Sequence, residues 1–226
     1  MNSNKKTGRI AGALLLFIFI SGVTTFQFLQ GTILSSKDFV IATSENENQL
    51  ILSTILGLFS GAASIIVAVI FLPILKKHHF TLAVLYVAFC LFNLVAIMID
   101  NYSVVSMLAF SKAFIKDTNE ISNSLKMMST VIYQKHLWTH YFYLLISCFP
   151  VFILYVTLFV SKLTPRALPG FGIIAALLMF IEILATIFGK GISSNMMLPI
   201  GLIQLIFPFW LLFKGLNSSK GKPRTT

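Results

Sequence analysis

Long runs of apolar residues, separated by short polar stretches, extend along the whole chain. A helix needs about 20 mostly apolar residues to cross a hydrocarbon layer roughly 30 Å thick. Six runs reach that length and predict an all-α fold, a polytopic membrane bundle of six transmembrane helices in a single domain over residues 1–226. In chain order the six segments are Ile10–Leu29, Leu50–Leu75, Phe80–Ile99, Leu137–Val160, Leu168–Phe188 and Met196–Phe213.

The connection between the third and fourth segments, from Asp100 to His136, is the longest and is less apolar than the segments themselves. Apolar residues recur in its second half at the spacing of one helix face. This spacing predicts a short extracytoplasmic helical link, either an amphipathic helix on the membrane surface or an extension of the fourth segment. The residues that carry the pattern are Ile121, Leu125, Met128 and Ile132.

The basic residues favour one orientation of this bundle. With the N-terminus in the cytoplasm, 11 of the 17 lysines and arginines lie on the cytoplasmic side and 6 lie outside. Because the cytoplasmic loops of membrane proteins carry an excess of Lys and Arg, this split predicts that both termini are cytoplasmic. The cytoplasmic ends are residues 1–9 and a basic tail at 215–226.

The overall composition excludes several classes of protein. The chain is 57% hydrophobic and 11% charged, whereas soluble domains are about 45–50% apolar and about 25% charged. The net charge of +10 does not indicate a nucleic-acid-binding protein, because the basic residues lie between apolar runs rather than on one folded face. Membrane lipid is the predicted partner, while a protein partner or a homo-oligomer stays open.

Motifs of soluble enzymes are missing from the sequence, which has no GxGxxG, HExxH or GxSxG pattern. Cys90 and Cys148 lie inside apolar runs, so they indicate two small core residues rather than a disulfide framework. No cofactor is predicted. The absence of a readable nucleophile–base pair favours a function other than catalysis.

Polar residues near the outer ends of the third and fourth segments are candidates for an outer-surface site. His136 and His140 are spaced i, i+4 and share one face of a helix, and Asp100 lies at a similar height. Two histidines at this spacing could share a metal ion, but two ligands without a third are weak evidence for a site. We therefore predict no metal and expect interfacial polar residues.

One acidic residue, Glu182, lies inside an apolar segment. A charged side chain near mid-helix costs about 2.5–3.5 kcal/mol on insertion scales, so such a residue is a candidate for function. Because no Lys or Arg lies within the six segments, we expect a neutral Glu182 that donates a hydrogen bond to Gln204 or Asn93.

A helix rises about 1.5 Å per residue, so residue counts give the depth of each side chain in the membrane. By this count, several polar residues lie at depths similar to that of Glu182. They predict a polar intramembrane layer in the outer half of the bundle. The layer is either a functional pocket or a structural network of hydrogen bonds between helices. Its members are Glu182, Gln204, Asn93, Ser147 and Tyr143.

The second segment contains a pair of glycines at GxxxG spacing, Gly57 and Gly61. Small residues every four positions let another helix backbone approach closely in lipid. The pair therefore predicts a close helix contact. Its partner is another helix of this chain, the favoured interpretation, or a second subunit.

Three short stretches of the chain resemble a known family. They are TGRIAGALLLFIFISGV near the N-terminus, LTPRALPGFGIIAALL at the start of the fifth segment and WLLFKG at the end of the sixth. Together they resemble domain-of-unknown-function family 4386, small bacterial membrane proteins with six helices. The resemblance implies a bacterial cytoplasmic membrane and no particular activity. Where that family usually carries an acidic residue before the LLxKG ending, this chain has Gln204.

Two classes of function are open on the sequence alone. In the first, the chain handles a small molecule or an ion at a pocket around Glu182. In the second, it is a non-catalytic membrane component that binds lipid or a partner protein. A water-accessible cavity at Glu182 would favour the first class, and a closed, fully paired polar layer would favour the second.

Overall fold

The computed structural model describes residues 3–36, 38–116 and 123–217. Within these ranges the chain is helical and contains no strand. Six helices are long and apolar enough to cross a membrane, which confirms the predicted bundle. They are α1 (Ser3–Val23), α2 (Glu47–Leu75), α3 (Phe80–Lys116), α4 (Asn123–Ser161), α5 (Ala167–Ile187) and α6 (Leu198–Lys214).

The six long helices form a closed ring in chain order. Each packs against the next one along the chain, and α6 packs against α1. The short connections favour this antiparallel arrangement of neighbours. The largest side chains of the core between the helices are almost wholly buried, and they include Phe71, Leu75, Leu158, Phe207 and Leu211.

The outer surface of the ring is apolar as well. Phe59, Phe92 and Phe142 are 62%, 50% and 50% exposed. Soluble monomers rarely expose contiguous apolar patches larger than a few hundred Å², whereas helices that cross a bilayer need such a surface. The exterior therefore fits a multi-pass membrane protein.

The two helices α3 and α4 are longer than a membrane crossing requires. With 37 and 39 residues, they measure about 55 and 58 Å at 1.5 Å per residue. Both continue past their predicted ends at Ile99 and Leu137. The long connection is thus an extension of both helices rather than a separate surface helix. Residues 117–122, including Ile121, lie outside the described ranges, as does the basic tail beyond residue 217.

Past its last residue, α1 continues as a π-helical segment, Thr24–Gln30, followed by one α-helical turn, Gly31–Leu34. In a π-helix each backbone hydrogen bond spans five residues instead of four. Gln49 of α2 donates hydrogen bonds to the carbonyl oxygens of Phe28 and Leu29, at 2.8 and 3.3 Å. These bonds hold the π-helical segment against the start of α2.

A second apolar cluster lies beside the projecting part of α3. Val104 and Met107 of α3 pack there with Leu50 of α2 and with Ile33. A short helix, Phe39–Glu45, packs on the same part of α3. These contacts fix the projecting part of α3, and with it the polar residues one turn closer to the membrane.

Candidate functional site

Asp100, His136 and His140 come together where α3 packs against α4. Nδ1 of His140 lies 3.1 Å from Oδ2 of Asp100. Nδ1 of His136 lies 3.9 Å from Oδ1 of the same carboxylate. The i, i+4 spacing places both rings on one face of α4, so a single carboxylate of α3 faces two imidazole rings.

These three side chains have little contact with solvent. Asp100 and His136 are only 6% and 5% exposed, and His140 is half-buried. Within the described ranges, Asp100 pairs with no lysine or arginine. A buried carboxylate costs free energy unless it is paired and hydrogen-bonded. The two imidazoles are therefore the groups that can neutralise Asp100.

Two hydroxyl groups complete the arrangement, which we call the Asp–His cluster: Asp100, Ser103, His136, Thr139 and His140. Ser103 Oγ lies 2.9 Å from His136 Nδ1, and Thr139 Oγ1 lies 2.9 Å from Ser103 Oγ and 3.4 Å from Asp100 Oδ1. Sequence reasoning missed both hydroxyls. Each lies three residues after another member, and that spacing could have identified them.

Ser103, His136 and Asp100 are the residue types of a catalytic triad, but their atoms are arranged differently. In a triad, serine and aspartate bind opposite nitrogens of the histidine ring. Here Ser103 Oγ and Asp100 Oδ1 both face Nδ1 of His136, at 2.9 and 3.9 Å. Ser103 also donates to the backbone carbonyl of Asp100 at 2.7 Å. The ring cannot relay a proton from this serine to this aspartate, so the geometry does not support a hydrolytic nucleophile.

The Asp–His cluster is not arranged as a metal centre either. Within the described ranges, no group of three or more His, Cys, Asp or Glu side chains is placed to hold a metal ion. Nδ1 of His140 lies within hydrogen-bond distance of Asp100, whereas Nδ1 of His136 lies within that distance of Ser103 and 3.9 Å from Asp100. The second ring nitrogen of His140, Nε2, is buried and has no hydrogen-bond partner among the described residues.

Two aromatic side chains flank His140. Phe26, from the π-helical segment, stacks on its imidazole with the ring centroids 5.6 Å apart and an angle of 14° between the planes. Tyr143, one turn along α4, places its ring centroid 5.8 Å from the same imidazole. Tyr143, predicted as part of the polar layer, thus belongs beside the Asp–His cluster. Phe26 lies in the π-helical segment, which the sequence pattern did not indicate.

The residue after Asp100 faces a different helix. Asn101 donates a hydrogen bond to the backbone carbonyl of Thr54 in α2, at 3.0 Å. A Cβ added to Gly57 would lie 3.0 Å from the side-chain nitrogen of Asn101, and one added to Gly61 would lie 2.6 Å from Leu94. The GxxxG pair therefore lies against α3 of the same chain. This contact turns Asn101 toward α2 and leaves Asp100 facing α4.

Glu182 lies apart from the Asp–His cluster, in α5, and is 5% exposed. Its Oε2 accepts hydrogen bonds from the backbone N–H groups of Ile192, at 3.3 Å, and Ser193, at 3.1 Å. Both donors belong to the connection between α5 and α6. The prediction that Glu182 donates a hydrogen bond to Asn93 is wrong, since Asn93 Oδ1 has no hydrogen-bond partner among the described residues. Glu182 therefore holds the turn between α5 and α6, and in both of these hydrogen bonds it is the acceptor.

The other predicted members of the polar layer do not join Glu182. Ser147 donates to the backbone carbonyl of Leu144 in its own helix, at 2.7 Å. Gln204 is half-buried on α6 and makes no recorded hydrogen bond with Glu182 among the described residues. The layer predicted from depth alone is thus divided into the Asp–His cluster and the Glu182 turn.

Comparison with known proteins gives one result. A family model with the description "Domain of unknown function (DUF4386)" matches residues 10–215, which is most of the chain. No curated protein and no solved structure matches the chain. The match agrees with the six apolar helices and with the resemblance carried by the three short stretches. This multi-pass membrane protein therefore belongs to the DUF4386 family.

Proposed function

We propose that the protein is an ion-handling membrane protein whose ion is the proton, bound by the Asp–His cluster. One observation carries the proposal: two imidazoles share a buried carboxylate that has no lysine or arginine partner in the described part of the chain. Histidine is the side chain whose unperturbed charge change falls between about pH 5 and 8. The cluster thus combines one buried acidic side chain with two imidazoles, the side-chain type that takes up and releases protons in many proteins.

The charge of the Asp–His cluster depends on how many protons its imidazoles hold. With both rings neutral the ionised carboxylate is unbalanced, with one ring protonated the charges cancel, and with both protonated the cluster is positive. Each change takes place in a buried contact between α3 and α4, where an unbalanced charge is costly. Proton binding is therefore coupled to the packing of these two helices.

His140 offers the position for an added proton. A neutral ring whose Nδ1–H donates to Asp100 carries its free lone pair on Nε2. That atom is buried and has no hydrogen-bond partner among the described residues. Phe26 and Tyr143 flank the same ring.

Other charged groups near the projecting helices are already paired. Lys112 of α3 binds Glu47 of α2, with Nζ 2.8 Å from a carboxylate oxygen. Lys135 of α4 lies over the ring of Tyr102, 5.4 Å from its centroid. Because these groups have partners of their own, the two imidazoles remain the groups that face Asp100.

The distribution of lysines and arginines supports an extracytoplasmic position for the Asp–His cluster. We place both termini in the cytoplasm of a bacterium, because 11 of the 17 basic residues then lie inside. In that orientation the Asp–His cluster lies at the opposite, extracytoplasmic side of the membrane. The protein would then sense the proton concentration outside the cell.

Nuclear magnetic resonance of histidine-labelled protein in lipid nanodiscs tests the proposal. The chain has four histidines, and single His→Gln variants assign their signals. We expect the ring signals of His136 and His140 to depend on pH, and Asp100→Asn to change that dependence for both rings. The His79 signal is the internal control: His79 lies in the connection between α2 and α3, at the opposite end of the bundle, so Asp100→Asn should leave it unchanged. If both rings keep one protonation state throughout, or if Asp100→Asn leaves them unchanged, the cluster is only a structural link.

A further inference from the structure

An apolar groove lies between α4 and α5 and has a volume of about 320 Å³. Its α4 wall includes Phe149, Phe152 and Ile153, and its α5 wall includes Ala176, Leu177 and Phe180. Ligand pockets in proteins measure about 300–1,000 Å³. Leu177 is 45% exposed and Phe149 is 36% exposed, so the groove opens on the outer, lipid-facing surface of the ring.

The sequence explains why α4 and α5 leave a gap at this level. Pro150 lies inside α4, beside the groove. A proline inside a helix cannot donate a backbone hydrogen bond, and its ring pushes against the carbonyl four residues earlier. On the facing helix, the wall residue Ala176 has a small side chain that does not fill the space. The proline of α4, which cannot donate a backbone hydrogen bond, thus lies at the level of a small residue of α5.

The depth of the groove matches the end of a lipid chain. Ala176 lies ten residues after Arg166, which immediately precedes α5. Ten helical residues span about 15 Å, and half of the hydrocarbon layer is also about 15 Å. An acyl chain whose headgroup lies level with Arg166 therefore reaches the groove.

Basic side chains lie where that headgroup would be. Lys162 and Arg166 are both exposed in the connection between α4 and α5, and residues 161–167 contain no acid. The guanidinium of Arg166 lies 5.5 Å from the ring centroid of Phe159. Phe152 and Phe159 are seven residues apart, so they share one face of α4. Arg166 is thus held about two turns from the groove, on the face that bears it.

We propose that the groove binds one acyl chain of an anionic phospholipid whose phosphate is held by Arg166 and Lys162. The apolar walls select a hydrocarbon chain, and the two cations select a negatively charged headgroup, since basic residues near a membrane surface attract anionic lipids. This site is separate from the Asp–His cluster, and the proposal does not depend on proton binding there.

Native mass spectrometry of protein released from nanodiscs tests the proposal. The nanodiscs contain equal amounts of phosphatidylglycerol and phosphatidylcholine. We expect the wild-type protein to retain phosphatidylglycerol in preference to phosphatidylcholine. Leu177→Trp fills the mouth of the groove and should abolish this retention. Leu58→Trp is the matched control, because Leu58 is a similarly exposed leucine of α2, at 43% against 45%, and it should retain lipid as the wild type does.

Charge variants test the headgroup contact separately. Arg166→Gln should lower the preference for phosphatidylglycerol by about fivefold, the ratio expected for one basic residue near a membrane surface. Lys214→Gln removes an exposed lysine at the end of α6, away from the groove, and should leave the preference unchanged. A thermal unfolding curve for each variant shows that it is folded.

Three results would overturn the proposal. The first is equal retention of both lipids by the wild-type protein. The second is wild-type retention by a folded Leu177→Trp variant. The third is a dimer in the wild type that Leu177→Trp abolishes, which would show that a second copy of the chain occupies the groove.

Discussion

Gly8 of α1 lies against the backbone of Leu216, just past the end of α6. A Cβ added to Gly8 would lie 2.7 Å from the amide nitrogen of Leu216, and one added to Gly12 would lie 2.9 Å from Cβ of Leu211. Both distances are too short for ordinary packing, so only glycine allows the two helices this close. Gly215, with a φ of +69°, turns the chain at the end of α6 into a backbone region that glycine adopts without strain.

The same junction reaches the connection between α4 and α5. The backbone N–H of Asn217 donates to the carbonyl oxygen of Leu163, at 2.9 Å. Gly8 lies in the first stretch that resembles the family, Leu163 begins the second and Gly215 ends the third, so the three stretches meet at one end of the bundle. The residues of these short motifs pack together at the junction where α6 meets α1 and closes the ring of helices.

The glycine contact of α1 gives a matched pair of substitutions. Gly8→Ala should lower the free energy of unfolding by about 1–3 kcal/mol, the usual cost of overpacking. Gly22→Ala is the control, because a Cβ at Gly22 meets nothing within 4 Å. Alanine should be neutral or stabilising there, since it favours helix more than glycine does. Thermal unfolding in detergent checks both, and equal melting temperatures would contradict the close contact.

The GxxxG pair of α2 gives a second matched pair. A Cβ at Gly61 would lie 2.6 Å from Leu94 and 3.2 Å from Ile97, so Gly61→Leu should force α2 and α3 apart. We expect a loss of about 1–3 kcal/mol in detergent, without a change in oligomeric state. Gly201→Leu on α6 has nothing within 4 Å of its Cβ and should cost less. A stable Gly61→Leu variant would show that this contact is not needed.

The six membrane crossings could be predicted from the sequence because the length of an apolar run depends only on the bilayer. The last residue of α3 and the first residue of α4 could not be predicted from the sequence. Asp100 and His136 interrupt the apolar pattern there, so hydropathy ends both segments at these residues. The helices continue because the polar side chains bind one another and the apolar cluster around Met107 covers the next turn.

The residues of the predicted polar layer have separate partners for a different reason. Residue counts give the depth of a side chain in the membrane but not the neighbour that it faces. Glu182 and Asn93 have similar depths, yet Glu182 turns to the connection after α5. Asp100 and His140 did meet because their helices are neighbours in the ring. Spacing along α4 predicted that His136 and His140 share one face, and the packing of α4 against α3 brings that face to Asp100.

The orientation of the bundle is open to a direct test. Reporter fusions in the connections at residues 32–49 and at Lys190 should report the outside, and fusions at Lys76, Lys162 and the C-terminus should report the cytoplasm. The reporter for the long connection belongs between Lys116 and Asn123, because any other site would interrupt α3 or α4. An outside signal from the C-terminal fusion would contradict the cytoplasmic termini.

The turn between α5 and α6 should depend on the carboxylate of Glu182. Its Oε2 is the recorded acceptor for two backbone N–H groups, those of Ile192 and Ser193. A buried donor left without an acceptor costs about 1–3 kcal/mol, so Glu182→Ala should loosen the turn. Glu182→Gln keeps a side-chain oxygen that can accept the same bonds, and it should preserve most of the order.

Amide hydrogen exchange over residues 189–197 measures this order directly. Glu182→Ala should speed exchange at Ile192 and Ser193 by about tenfold or more, since a loss of 1.4 kcal/mol corresponds to a factor of ten in the opening equilibrium. Thr186→Ala is the control: it removes a side chain one turn away but keeps the carbonyl that accepts from the Gly189 N–H. Unchanged exchange in Glu182→Ala would show that other contacts hold the turn, and that the buried carboxylate is free for a different role.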